Sequence, residues 1–471
     1  MFNFFQRFVE CFSYTLSARL ILLLTVVLLV VGETYDMKAS AIQTRWVASW
    51  AASQQLVERG NSLGLTNLSI NDLRLEDPGG ITLRQIVRLS LGGSGLRVRL
   101  SNRFGSTPLH LTAVHVAKAV SPGADKIVTG SDRGLTFSGL PDVMIPPHAD
   151  YVSDPVSFAV NALSDLAITM HIDAAPAEQT GHPGSRATSY LAHGDLVSAL
   201  GLGGAQTAEH WYFIAGVDVA PELGSSAIVA LGDSITDGHG ATTNGNNRWT
   251  DVLAERLQAT PETRNLAVLN QGIGGNRLLS DGLGPDALSR LDCDVIVQPG
   301  VRYLIVLEGI NDIGMLTRTG EASQTEHSEL VRRMLAAYTQ MVARAHSHEI
   351  EVIGATLLPF VGSDFYHPGA RSEADRQAVN GWIRDPGHFD AVIDFDKIMR
   401  DPQHPERLMP VFDSGDHLHP SPAGYSAMAN AVPLSLFVKS SASAPKIRMT
   451  FGLSAISGSM HAASTAFVNP D

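Results

Sequence analysis

The feature that most constrains this chain is a change of hydrophobic period near Pro221-Glu222-Leu223-Gly224. Upstream, from about Trp46 to Val219, apolar and polar residues alternate over short runs. Leu96, Val98 and Leu100 interleave with Arg97 and Arg99, and Leu166, Ile168, Met170 and Ile172 with Ala167, Thr169, His171 and Asp173. Period two with polar partners predicts half-buried strands whose other face meets solvent. Ile81–Leu91, Leu109–Ala117, Val156–Val160 and Trp211–Val219 are further strand candidates, separated by Gly, Pro, Asn and Asp turn signals. Many short strands and no amphipathic helix predict an all-β sandwich or jelly roll over residues 45–220.

Downstream of residue 225 the runs become wholly apolar. Ile228–Leu231, Ala267–Leu269, Tyr303–Leu307, Val352–Leu358 and Ala391–Phe395 read as five strands. Between them, Asn247–Gln258 places Trp249, Val252, Leu253 and Leu257 on one helical face, and Ser323–His346 is a long helical stretch. Apolar strands alternating with amphipathic helices predict βαβ units and a five-stranded parallel sheet covered on both faces, over residues 226–437. Sites in such sheets form outside the carboxyl ends of the strands. The loops after the first three strands are therefore where chemistry is expected.

The first of these loops reads Gly232-Asp233-Ser234-Ile235-Thr236-Asp237-Gly238. A serine that ends a strand and opens a helix sits beside backbone N–H groups, a seat that suits a nucleophile with a base in reach; the plainer reading is a helix cap. The second reads Asn270-Gln271-Gly272-Ile273-Gly274-Gly275-Asn276-Arg277. Its glycines let backbone N–H groups approach a ligand, but it lacks the lysine of a phosphate loop and the full dinucleotide spacing. The third, Glu308-Gly309-Ile310-Asn311-Asp312, offers a side-chain amide to an oxyanion or simply an Asn-Asp turn.

A fourth segment, Asp413-Ser414-Gly415-Asp416-His417-Leu418-His419-Pro420, precedes a helix starting around Pro422. A carboxylate three residues before an imidazole can bond Nδ1 and leave Nε2 free as a base. Asp413, Asp416, His417 and His419 also resemble a metal cluster, but nothing at recognisable spacing completes it. No metal and no cofactor are expected. Together the segments supply a nucleophile, oxyanion donors, a base and its orienter on one rim of the sheet. A G-x-S-x-G match at Gly60-Asn61-Ser62-Leu63-Gly64 is set aside, because no apolar strand precedes it.

The N-terminus bears on the compartment. Arg7 and Arg19 precede the apolar run Leu20–Val31, which falls short of the about 20 residues a spanning helix needs. With Ala39-Ser40-Ala41 downstream, residues 1–41 read as a secretory signal cut after Ala41. The alternative is an uncleaved anchor attached to a membrane through residues 20–31. Cleavage removes Arg7, Arg19 and Lys38 with Glu10, Glu33 and Asp36, so the net charge of −13 also describes the exported chain. That charge argues against nucleic acid as a partner. Cys11 would be lost as well, leaving Cys293 alone and no intramolecular disulfide. The Ser/Ala-rich tail, 439–471, is assigned no role.

The four loop segments resemble the motif blocks of the SGNH, or GDSL, hydrolases, in order and intact across roughly residues 226–437. The resemblance implies a three-layer α/β/α, flavodoxin-like domain with serine esterase activity. It implies Ser234, Asp416 and His419 as the catalytic residues. It implies an oxyanion hole made by the Ser234 N–H, the Gly275 N–H and the Asn311 amide, with Gly272 and Gly274 as neighbours of the second-block glycine. Trp46-Val47-Ala48-Ser49-Trp50 and Val98-Arg99-Leu100-Ser101-Asn102-Arg103-Phe104-Gly105 look like the β-rich companion domain of some secreted members.

Asp233, Asp237, Arg248, Arg277, Asp312 and His417 are expected as structural partners, and Tyr366 and His367 as pocket-lining residues. The expected substrate is a small-molecule or polysaccharide ester with an O-acetyl or short acyl group. A lipase or lysophospholipase would need an apolar groove, for which Met315-Leu316 or Leu358-Pro359-Phe360 are candidates. A non-catalytic carbohydrate-binding surface protein would not need all five motif residues intact.

Overall fold

A computed structural model describes residues 45–57, 79–174 and 176–438. The expected signal or anchor segment, the Gly60–Gly64 match and the tail lie outside the described residues. Among the described residues, no helix is long and apolar enough to cross a membrane.

The second half contains β1 (Ser226–Gly232), β2 (Leu266–Gly272), β3 (Val301–Leu307), β4 (Glu351–Ala355) and β5 (Ala391–Ile393). They form one parallel sheet in the order β2-β1-β3-β4-β5. This is the flavodoxin-like order, and the direction of winding reverses between β1 and β3. Alternating helices complete an α/β/α sandwich: α1 (Ser234–Asp237), α2 (Trp249–Ala259), α3 (Ile310–Thr317), α4 (Gln324–His346), α5 (Ala370–Arg384), α6 (Phe395–Met399) and α7 (Pro422–Ala431). α2 packs with α7, and α7 with α6, while α4 and α3 pack against α5.

Local chemistry sets these boundaries. α4 opens on a capping box, in which Ser323 Oγ accepts from Glu326 N–H and Glu326 Oε2 accepts from Ser323 N–H. Its buried residues Met334, Ala337 with its neighbour Tyr338, Met341 and Ala345 recur at steps of three or four, the spacing of one helical face. Asp394 ends β5 two residues short of the expected Phe395, because its carboxylate caps α6 instead. β4 likewise stops at Ala355, and Leu357 N–H donates to Asn380 Oδ1.

The first half is antiparallel and all β. One sheet orders Val47–Ala51, Ile214–Val219, Leu96–Ser101 and Asp150–Val152; a larger one is built around Ile81–Arg88, Asp165–Ile172 and Leu109–Lys118. Three expectations need correction. Asp165–Ile172 does not face solvent on its polar side: Thr169 and His171 are buried, and Thr169 Oγ1 accepts from the fully buried Arg84, whose guanidinium also donates to Asp125 and Ala199 carbonyls. Val156–Val160 forms only isolated bridges, through Val156 to Leu96 and through Val160 to Gly93, with no continuous ladder between them. Trp211–Val219 breaks at Phe213, whose φ of 59° turns the chain from one sheet into another.

The halves share one hydrophobic core, running from Trp50, Leu96 and Val219 into Leu266, Leu269 and Ile305. The exposed edge of β2 is covered by the first half. Ser90 Oγ accepts from Val268 N–H and donates to Ser49 O; Ser53 Oγ donates to Gln271 Oε1; Ala48 N–H donates to Pro299 O. Uncovered sheet edges invite pairing with other chains. The full chain should therefore melt in a single calorimetric transition. Residues 226–437 produced alone should associate on size-exclusion chromatography; a monomeric fragment melting at the same temperature would contradict a shared core.

Candidate active site

Strand β1 delivers Ser234 to the carboxyl edge of the sheet. Asp233 caps α1, its Oδ1 accepting from Ile235 N–H at 2.8 Å, and Gly238 ends that single turn at φ 100°, a left-handed cap. A side chain at Gly238 would also collide with Arg248. The turn is short because Gly238 and His239 both donate to the Ser234 carbonyl. The buried Ser234 side chain is thereby held where the winding of the sheet reverses.

The segment before α7 brings Asp416 and His419 to it. Asp416 Oδ2 lies 2.5 Å from His419 Nδ1, and His419 Nε2 lies 2.7 Å from Ser234 Oγ. Asp416 Oδ1 also accepts from Leu418 and His419 N–H groups, which pins the loop around the imidazole. Burial acts to raise the Asp416 carboxyl, but the hydrogen bond and charge of His419 with these N–H groups hold it below the usual carboxylate range.

Gly275 and Asn311 line the same cleft as Ser234. Gly275 has φ 68°, and among the described residues no acceptor meets its N–H or that of Ser234. The Asn311 amide is oriented from both sides: Nδ2 donates to Asn276 O at 2.7 Å, and Oδ1 accepts from Tyr366 Oη at 2.6 Å. Asn276 O only accepts, so the amide cannot be flipped. Burial, then Asp233, pushes the Tyr366 hydroxyl above the usual phenol range, which keeps it a donor. Asp312 accepts from Leu278 and Leu279 N–H groups, fixing the Gly275 loop; burial pushes its carboxyl up to about 6 against those bonds.

Beneath Ser234 sits Arg290, which sequence reading passed over. Its Nη1 donates to Ser53 Oγ, Gln271 O and Asp294, its Nη2 to Gly232 O and Asn276 Oδ1, and its Nε to Asn276 Oδ1. Nearby, Glu308 is buried with Oε2 unbonded, 3.8 Å from Arg290. Burial and then Asp233 push Glu308 well above the carboxylate range, and burial also raises Asp233.

The first half forms one wall of the cleft. His182 bridges Ser53 O and the Asp237 carboxylate on α1, and Arg186 lines the cleft beside His239. The His239 ring lies 4.0 Å from that of His419, centroid to centroid. His182, Arg186 and His239 carry no local motif; only their spatial neighbours mark them. Of the expected lining residues, Tyr366 faces the cleft and His367 does not. Arg248 pairs with Asp251, and His417 with Asp413. Met315, Leu316, Leu358 and Phe360 do not line the cleft, and Leu358 and Phe360 are core.

His239, Asp416 and His419 offer ligand atoms within 4.8 Å of one another. Both His419 nitrogens already contact Ser234 and Asp416, so an ion there would displace the Asp416–His419–Ser234 contacts. What the arrangement offers chemically is a hydroxyl coupled to an imidazole and a carboxylate, beside N–H groups in a cleft of about 580 Å³.

Two consequences are measurable. Arg290→Met strands buried Asp294 and Asn276 and should cost about 3–5 kcal/mol in urea unfolding; a loss of about 0.5 kcal/mol, typical of surface sites, would show that the network relaxes. Burial, with His419 and Arg186, lowers His239 from 6.5 to about 4. The unfolded chain then binds that proton below pH 6.5 and the folded chain only near 4, so stability falls as pH drops through this window. The wild type should lose more stability than His239→Gln between pH 6.5 and 4 in thermal melts, although the 39% exposure of the ring damps the difference.

Residues 230–427 match the family described as GDSL-like Lipase/Acylhydrolase. No curated protein matches the chain. Similar solved structures include a GDSL-like lipase from Bacteroides thetaiotaomicron VPI-5482, 18% identical, covering 46% of this chain and 90% of that one, TM-score 0.33. A catalytic mutant of an acetylxylan esterase from Geobacillus stearothermophilus is 21% identical, over 44% and 93%, TM-score 0.33. An alpha/beta hydrolase enzyme from the Lake Arreo metagenome is 23% identical, over 44% and 92%, TM-score 0.32. With its motif blocks gathered on one rim of a parallel sheet, the segment 230–427 is a hydrolase domain of the GDSL-like lipase/acylhydrolase, or SGNH, family.

Proposed function

We propose that this protein is a secreted serine esterase that cleaves O-acetyl or other short-acyl carboxylic esters of carbohydrates. The observation that carries this reading is the chain of contacts from Asp416 through His419 to Ser234, opening onto the cleft shared by Gly275 and Asn311. His419 Nε2 takes the proton of Ser234 as Oγ adds to the ester carbonyl, and Asp416 holds the tautomer and stabilises the imidazolium. The Ser234 and Gly275 N–H groups and Asn311 Nδ2 receive the developing oxyanion. Collapse breaks the ester bond, and the departing alkoxide takes the proton from His419. Water, deprotonated by His419, then attacks the acyl-serine and releases the acid and free Ser234.

The apolar surface in the cleft comes from Leu283, Phe365 and Leu418, enough for a short acyl chain. The half-exposed Phe365 beside polar Asp364 and His417 suits a sugar ring. The charged-then-apolar N-terminus supports export.

Hydrolysis of p-nitrophenyl acetate, butyrate and palmitate tests the reading. Acetate should be turned over fastest, and Ser234→Ala or His419→Ala should abolish activity in folded protein. Asn311→Ala should lower kcat about 10²–10³-fold with little change in KM. Turnover retained by folded Ser234→Ala would end the assignment, and a preference for palmitate would transfer it to lipids.

A further inference from the structure

Arg186 is the one cleft-lining cation left without a counter-charge among the described residues. Arg186 is the only Arg or Lys that lines the cleft; Arg248 and Arg290, which lie outside it, pair with Asp251 and Asp294, whereas Arg186 makes no ion pair among the described residues. Its Nε is buried without a hydrogen-bond partner, and among the described residues its side chain bonds only through Nη2, 3.4 Å from His239 Nδ1. A guanidinium held in a partly buried seat without an acceptor for its Nε is costly unless a ligand meets its accessible donors.

The seat of Arg186 is built for the purpose. Its backbone is held at φ 48°, where Arg186 O accepts from Asn244 N–H. Asn244 clamps the same stretch through Thr188, accepting from its N–H and donating to its hydroxyl, each at 2.8 Å. A residue of the β half is thus fixed to the wall of a cleft whose nucleophile belongs to the other half.

Direction follows from the neighbours. Arg186 touches His239, whose ring packs on His419, and His419 is the group that would return a proton to the departing alcohol. Gly275, Leu283 and Asn311 come from the loops after β2 and β3, where the acyl oxygen would lie. Arg186 therefore stands on the alcohol side. Two of the cleft's carboxylates are already engaged, Asp237 by His182 and Asp416 by His419, and the third, Asp364, belongs to the segment of Phe365 and Tyr366. A guanidinium offers a planar fork of donors that matches a carboxylate.

We propose that Arg186 forms an anion subsite on the leaving-group side of the cleft, selecting esters whose alcohol part carries a carboxylate, chemically an O-acylated uronate unit rather than a neutral sugar. This deepens and rests on the esterase reading above. The first half then contributes specificity, and the second half the chemistry.

The test compares 4-acetoxybenzoate with its methyl ester on the full chain, each rate divided by its spontaneous hydrolysis. The wild type should prefer the anion by about tenfold or more in kcat/KM, since hydrogen bonds to charged groups have that worth. Arg186→Met should collapse this ratio through KM for the anion, and Arg186→Lys should restore part of it. Equal preference in the wild type, or an equal loss on both esters in Arg186→Met, overturns the subsite. Inhibition of the wild type by benzoate against benzamide needs no variant; benzoate binding no better than benzamide also overturns it. Stronger preference for 4-acetoxybenzenesulfonate would replace the carboxylate with a sulfate and overturn the uronate assignment. Finally, acetylated methyl glucuronoside should outpace acetylated methyl glucoside. Selectivity on the aryl esters without cleavage of either sugar would leave the subsite standing and remove the carbohydrate part of the esterase reading.

Discussion

A buried guanidinium fixes the geometry on which the rest of this site depends. Arg290 lies almost wholly out of water, and an unpaired charge in such a place costs several kcal/mol. It is tolerated because each donor finds an acceptor, and those acceptors are the parts that must be held together. They are the end of β1 at Gly232, the end of β2 at Gln271, the loop at Asn276, and Ser53 of the β half. Asn276 in turn presents its carbonyl to Asn311. A single side chain thus sets the distance between the Ser234 turn and the two loops that carry Gly275 and Asn311.

The first half is better seen as a missing wall than as an appendage. It seals the edge of β2 through Ser90 and Ser53, anchors α1 through His182 and Asp237, and brings Arg186 to the cleft. The Ser90 hydroxyl satisfies the Val268 N–H on that edge strand without extending the sheet. The same contacts make the position of Ser234 sensitive to the packing of the β half.

Charge around the cleft is sorted by depth. Asp233 and Glu308 lie below Ser234, where burial first and neighbouring carboxylates after it favour protonated carboxyls. Asp416, half-exposed and facing His419, stays ionised. Similar side chains therefore behave differently according to how much water and which partner they meet. Burial first, then His419 and Arg186, favours the neutral imidazole of His239, which adds no charge beside the His419 ring.

How much of this was legible depended on whether the signal was local. Apolar strands alternating with helices identified the parallel sheet, and the motif blocks placed Ser234, Gly275 and Asn311 after strands and Asp416 and His419 before the last helix, because strand, turn and cap preferences act within a few residues. Burial of Thr169 and His171 was not legible, since a second-face cover comes from segments distant in the chain. Arg290, His182, Arg186 and His239 were likewise silent. Arg290 meets Ser53 across 237 positions, and Arg186 meets His239 across 53. By itself the sequence determined the fold class and the residue types on the rim. Only the tertiary structure decided which cation is paired, which carboxyl is desolvated and which half walls the cleft, because those are properties of packed neighbours and no local pattern encodes them.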